Sequence, residues 1–182
     1  MKALMDGNAR FVDKQLTSFE DDLTILKQNT VAKQEPFAAV LACADSRVPV
    51  ELIFDQTIGH VFVTRVAGNV ASAEIIASLE YGALVLGTRT ILVLAHSSCG
   101  AIKAAMDGKA VPGQISALFP MLRPAIDQSH GDLVAAEKIN AKVQTGLLRD
   151  ASPVLSDAVK QGKLSISAGY YDLASGRVTL LG

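Results

Sequence analysis

Two stretches, FAAVLACADSR at 37–47 and TILVLAHSSCG at 90–100, decide how this chain is read. Each opens with a short apolar run lacking polar alternation, the pattern of a strand covered on both faces, and each run stops abruptly at polar residues. A third run, HVFVTRVA at 60–67, follows Gly59. Between it and the next strand, ASAEIIASLEYGALVLG at 71–87 places apolar residues at helical intervals and ends in Gly87. Strand, helix, strand in this order predicts a parallel sheet with crossover helices.

Working outward, the first 35 residues carry Leu4, Phe11 and Val12 on one helical stripe and Leu23, Ile25, Leu26 and Val31 on another, which predicts an N-terminal arm of two helices over 1–35. Downstream, AIKAAMDG is a helix stopped by Gly108, and ISALFPMLRPAID at 115–127 is a helical tract interrupted at Pro120 and Pro124. LVAAEKINAKVQTGLLRD and PVLSDAVKQG read as two more helices. LSISAGYYDL and RVTLL are two strands joined by ASG, which predicts an antiparallel edge. The expected fold is α/β: one domain over 1–182, with a mostly parallel sheet of about four to five strands, an antiparallel edge strand and flanking helices.

Charge is nearly balanced, 17 basic against 18 acidic side chains, so no field favours nucleic acid or an anionic membrane, and a small-molecule partner is expected. No run approaches the roughly 20 apolar residues that span a bilayer. Asp6, Asn8 and Arg10 interrupt the start, so it is not the apolar core of a signal peptide. A cytoplasmic location is expected, with export open if a leader once preceded residue 1.

Cys43 ends the first strand and His96 ends the third, with Asp45 two and Cys99 three residues further on. In open α/β sheets, sites form outside the carboxyl ends of the strands, so these distant segments are delivered to one sheet edge. Two thiolates and an imidazole suit Zn(II), and three protein ligands with one exchangeable position is the catalytic arrangement. The alternatives are a small buried thiol at each strand end, or a closed structural site with Asp45 as a fourth ligand. Arg47 weighs against the closed site: its planar guanidinium can take both Asp45 oxygens and draw them off the metal, so that water enters. Zinc lowers the pKa of bound water toward neutrality, and two thiolates predict a less acidic water and activity favouring alkaline pH. Gly100 is expected to permit a close backbone approach at the helix start.

CADSR at 43–47 and HSSCG at 96–100 resemble the two zinc motifs, C-x-D-x-R and H-x-x-C, of β-class carbonic anhydrases. The resemblance extends over GNARF, RVPVELIFDQ, VFVTRVAGN, SLEYGALVLG, GAIKAA and GYYDLASG, essentially the whole chain. It implies reversible hydration of carbon dioxide to bicarbonate and a proton through a zinc-bound hydroxide. Cys43, His96 and Cys99 would be ligands, and Asp45 with Arg47 the dyad that orients the hydroxide or, in an inactive state, releases Asp45 onto the metal. Gln34 matches a substrate hydrogen-bonding position, and Phe62, Val66 and Tyr81 match apolar positions of the carbon dioxide pocket. Several of these come from a neighbouring subunit in the family, which implies a homodimer or dimer of dimers. Arg65 and Asn69 stay outside the catalytic set, and His60 and His130 read as surface imidazoles.

Two rivals share this fold class. One is a zinc hydrolase of carbon disulfide or carbonyl sulfide; the other is a non-catalytic closed zinc site. A nucleotide-binding domain is set aside because the turn after the first strand carries Cys, Asp and Arg and no G-x-G-x-x-G.

Overall fold

A computed structural model describes residues 1–17, 24, 31–109 and 111–182. Five strands form one sheet: β1 (Ala38–Ala42), β2 (Val61–Arg65), β3 (Thr90–His96), β4 (Ser165–Tyr171) and β5 (Val178–Leu181), in the order β2-β1-β3-β4-β5. The first four run parallel, and β5 pairs antiparallel with β4 along Ala168–Leu181 to Tyr171–Val178. Every residue of β1 and β3 is buried, as their unbroken apolar runs predict for strands covered on both faces.

The described helices are α1 (Lys2–Val12), α2 (Val50–Ile53), α3 (Ala73–Leu84), α4 (Gly100–Asp107), α5 (Phe119–Gln128), α6 (Leu133–Ala151) and α7 (Pro153–Lys160). The second helix expected in the arm, around Leu23, Ile25 and Leu26, lies outside the described residues. One expectation fails: Pro124 does not interrupt the tract near 120, because α5 runs through it to Gln128. Pro120 sits in the first turn, where no N–H is needed, and Pro124 costs one internal hydrogen bond that the flanking turns tolerate.

One apolar layer lies on each sheet face. Ala39, Leu41, Ile91 and Val93 pack with Leu79, Leu148 and Leu155 on one side; Val40, Leu92 and Leu94 pack with Leu4, Ile53 and Phe54 on the other. The GNARF block docks α1 to that second layer. A Cβ on Gly7 would stand 1.8 Å from the Phe54 carbonyl oxygen, so only glycine permits this crossing. Buried Asn8 then donates to the Ile53 and Gly176 carbonyls and accepts from Val178 N–H at 2.8 Å, stitching α1 to α2 and β5.

Strand order reverses at β1: the chain leaves β1 for β2 on one side and crosses back to β3 on the other. Ala42 and Leu94 are paired neighbours, so the loops after β1 and β3 emerge side by side at the switch point, the crevice where α/β sheets bind ligands.

Candidate metal centre

The donor atoms of Cys43, His96 and Cys99 lie within 4.8 Å of one another, and all three residues are buried. His96 Nδ1 faces the Ser97 carbonyl at 2.9 Å, an acceptor only, so Nδ1 carries a proton and in the neutral ring Nε2 is left with a lone pair. That Nε2 is buried without a hydrogen-bond partner. An orphaned imidazole nitrogen beside two thiol sulfurs is costly unless a cation takes it, and this donor set fits zinc.

Protons show the same convergence. The Cys43 thiol is lowered to about 4, chiefly by the hydrogen bond from Cys99, against burial and with help from His96 and the Gly68 N–H. Cys99 is pushed up, chiefly because its own proton is the one given to Cys43. Burial depresses His96, but the Cys43 thiolate outweighs it and its pKa is raised. Three groups sharing protons at this spacing are the groups a cation would hold once those protons leave.

Asp45 is turned to Arg47. Its Oδ1 accepts from Arg47 N–H and Nε–H at 2.9 Å each, and its Oδ2 accepts from the terminal guanidinium nitrogen at 2.7 Å. The hydrogen bonds from the Arg47 side chain, more than any other factor, hold the carboxyl far below the usual range. Asp45 Oδ2 is nevertheless 3.9 Å from His96 Nε2, next to the donor cluster. Arg47 also donates to the Ser98 carbonyl at 3.1 Å, so one guanidinium ties the loop after β1 to the loop after β3.

Residues that sequence reasoning left aside complete the frame. Arg65, at the end of β2, donates through Nε to the Cys43 carbonyl at 2.9 Å and through a terminal nitrogen to the Asp45 carbonyl. Gly68, in the left-handed region at φ 75°, donates its N–H to Cys43 Sγ at 3.3 Å. From α6, Asn140 donates to the Gly68 carbonyl at 2.8 Å and Glu137 Oε1 accepts from Cys99 N–H at 2.8 Å. A sequence signal existed: Glu137, Asn140 and Gln144 recur at helical spacing among Ala136, Ala141 and Leu148 on the buried face of α6.

The remaining expected residues are not all brought to the donors. Val66 packs beneath the centre, touching both the sheet layer and the cluster around Cys43, Cys99 and Leu122. Phe62 is half-buried on edge strand β2, with its ring 6.4 Å from that of Tyr81. Tyr81 is 47% exposed, and with Gln34 it lines a surface hollow that includes none of the three donors. Among the described residues, no atom outside Gly100's own helix and chain neighbours lies within 4 Å of where its Cβ would stand. His60 and His130 are exposed, as expected.

Fold and site together define an α/β protein with a buried Cys-His-Cys cluster, able to hold a metal ion, at the sheet's switch point. The carbonic anhydrase family profile matches residues 38–178. The chain is 36% identical to a carbonic anhydrase of Mycolicibacterium smegmatis, over 98% of this chain and 90% of that protein. It is 33% identical to carbonic anhydrase 2 of Mycobacterium tuberculosis, over 98% and 90%. Its fold superposes on a Coccomyxa β-carbonic anhydrase with a TM-score of 0.76 at 28% identity, covering 98% of this chain and 84% of that one. The chain therefore belongs to the β-class carbonic anhydrase family.

Proposed function

We propose that this chain catalyses the reversible hydration of carbon dioxide to bicarbonate and a proton at one zinc ion held by Cys43, His96 and Cys99. A single observation carries the reading: three convergent donors, with the neighbouring carboxylate of Asp45 taken up by Arg47 and so kept out of the donor set. When bound, zinc would supply the Lewis acidity that makes water nucleophilic near neutral pH.

What the chain's own side chains contribute follows from their geometry. Asp45, ionised across the working range, accepts hydrogen bonds and donates none, so it selects a protonated oxygen as its neighbour and fixes that oxygen's orientation. Arg47 holds Asp45 in that role; without it the carboxylate is free to turn toward His96 Nε2, 3.9 Å away. The apolar packing around Val66 and Leu122 beneath the centre suits a small apolar substrate. His60 and His130 are exposed, and buffer is the proposed carrier of the product proton.

Gln34 and Tyr81 share a hollow apart from the donors, and Leu84 and Val85 beside it are 72% and 61% exposed. They serve substrate in a homodimer, where one subunit's Gln34, Phe62 and Tyr81 face the partner's centre. A substrate panel tests the proposal: stopped-flow hydration of carbon dioxide alongside consumption of carbon disulfide and carbonyl sulfide. Zinc-dependent hydration of carbon dioxide is expected. Consumption of a sulfur analogue with no carbon dioxide hydration would refute it.

A further inference from the structure

Cys99 is held through its peptide as well as its place in the chain. It caps α4, so its N–H has no partner inside the helix, and it follows Ser98, whose φ of 56° lies in the left-handed region that β-carbon-bearing residues avoid. Such a turn keeps its shape only if its surroundings over-determine it. Two anchors are present. On one side Ser97 donates its N–H to the Tyr171 carbonyl at 2.9 Å and accepts from Leu173 N–H at 2.9 Å, fixing the turn to the β4–β5 hairpin. On the other, Glu137 Oε1 accepts Cys99 N–H at 2.8 Å while its Oε2 accepts the Tyr170 hydroxyl at 3.0 Å. Tyr170 adjoins Tyr171, so the contacts form a closed ring: β4, Ser97, Cys99, Glu137 and back to β4.

Glu137 is fully buried, and among the described residues it has no ion-pair partner. A buried carboxylate without a counter-charge is an expensive way to fill space on a helix, and an apolar residue would serve packing better. What an apolar residue could not do is present two acceptor oxygens to two donors on different elements. We infer that Glu137 is a positioning residue of the metal centre: its two-pronged carboxylate, braced by Tyr170, fixes where Cys99 places its sulfur. It touches the ligand's backbone and not the metal, so it acts through Cys99. Residues that orient metal ligands in this way typically contribute about 10–100-fold to metal affinity.

The inference rests on zinc being held by Cys43, His96 and Cys99, and the test separates the two. Zn(II) affinity is measured by chelator competition on the native chain and on Glu137→Gln, Glu137→Asp and Ser152→Ala. Thermal unfolding of the metal-free chains and the sulfur-to-cobalt absorption of their Co(II) forms are recorded in parallel. Glutamine keeps the reach and loses the charge, whereas aspartate keeps the charge and loses one methylene of reach. Ser152, fully buried where it caps α7 and donates to Glu80, is a stability control away from the centre. We expect Glu137→Asp to weaken zinc about tenfold or more and shift the cobalt band, with Glu137→Gln within about threefold of native and Ser152→Ala changing only unfolding. Native-like affinity in Glu137→Asp overturns the inference, and so does an equal or greater loss in Glu137→Gln, which would make charge the contribution. If Glu137→Asp does not fold, Tyr170→Phe carries the test: it unbraces the carboxylate at full reach, and unchanged zinc affinity there also overturns the inference. Absence of zinc binding by the native chain would instead sink the metal reading itself.

Discussion

Replacing Gly68 by alanine probes the centre through the backbone. Gly68 stands at φ 75°, and placing an alanine there costs about 1–2 kcal/mol from backbone conformation alone. A Cβ at this position would also lie 3.1 and 3.3 Å from the two Leu122 methyl carbons. Leu122 is fully buried in the cluster around Cys43 and Cys99 and cannot swing away, so overpacking adds about 1–3 kcal/mol. The sum, about 2–5 kcal/mol, corresponds to a fall in Tm of roughly 4–20 °C for a chain of this size. Gly108 supplies the control: it too has positive φ, at 62°, but among the described residues a Cβ there meets nothing, so Gly108→Ala bears the conformational cost alone, about 2–8 °C. Relief of the crowding by a backbone shift would move the Gly68 N–H off Cys43 Sγ, so Gly68→Ala is also expected to weaken zinc while Gly108→Ala does not. Thermal unfolding of metal-free chains and chelator competition measure both effects. Equal Tm losses in the two variants, with native zinc affinity in each, would contradict both expectations.

Three further outcomes are expected. Arg47→Ala should keep its zinc but lose about 10–100-fold in kcat/KM for carbon dioxide, because Asp45 is released beside the donors; stopped-flow kinetics with metal analysis of the same sample decides it. Zinc affinity should rise with pH: Cys43, lowered to about 4, is already ionised at neutrality, whereas Cys99 is raised and must give up its proton. Loss of one proton means about a tenfold gain per pH unit on the alkaline side, steeper where His96, also raised, is protonated; calorimetry in buffers of different ionisation enthalpy counts the protons, and pH-independent binding would contradict this. Asn8→Ala should destabilise the chain by about 3 kcal/mol or more, since it leaves the Ile53 and Gly176 carbonyls and the Val178 N–H unpaired; urea unfolding measures it.

Much of this architecture was legible because burial on both faces leaves an unbroken apolar run. FAAVLAC and TILVLAH read as central strands, and their polar ends located the donors at one edge. Cys43, His96 and Cys99 converge as their strand-end positions implied, and the Asp45–Arg47 pair forms as two residues of separation allow. Less was legible where contacts are made by backbone atoms. Helical spacing puts Glu137 and Asn140 on the buried face of α6, but the sequence does not say that they and Arg65 meet the Cys99 N–H, the Gly68 carbonyl and the Cys43 carbonyl, because those partners carry no residue identity. Pro124 misled for a related reason: sequence shows the missing donor but not the turns that carry α5 past it. Gln34 and Tyr81 came from family resemblance, and in a single chain they lie in a hollow of their own.

The claim that one zinc, held by these three side chains, is the seat of the reaction is tested most directly by measuring zinc content and carbon dioxide hydration on the same preparations of the native chain and Cys99→Ser. The expected result is one zinc per native chain with zinc-dependent hydration, and a parallel loss of both in the variant. Hydration by zinc-free native chain, or full zinc and full activity in Cys99→Ser, would contradict it.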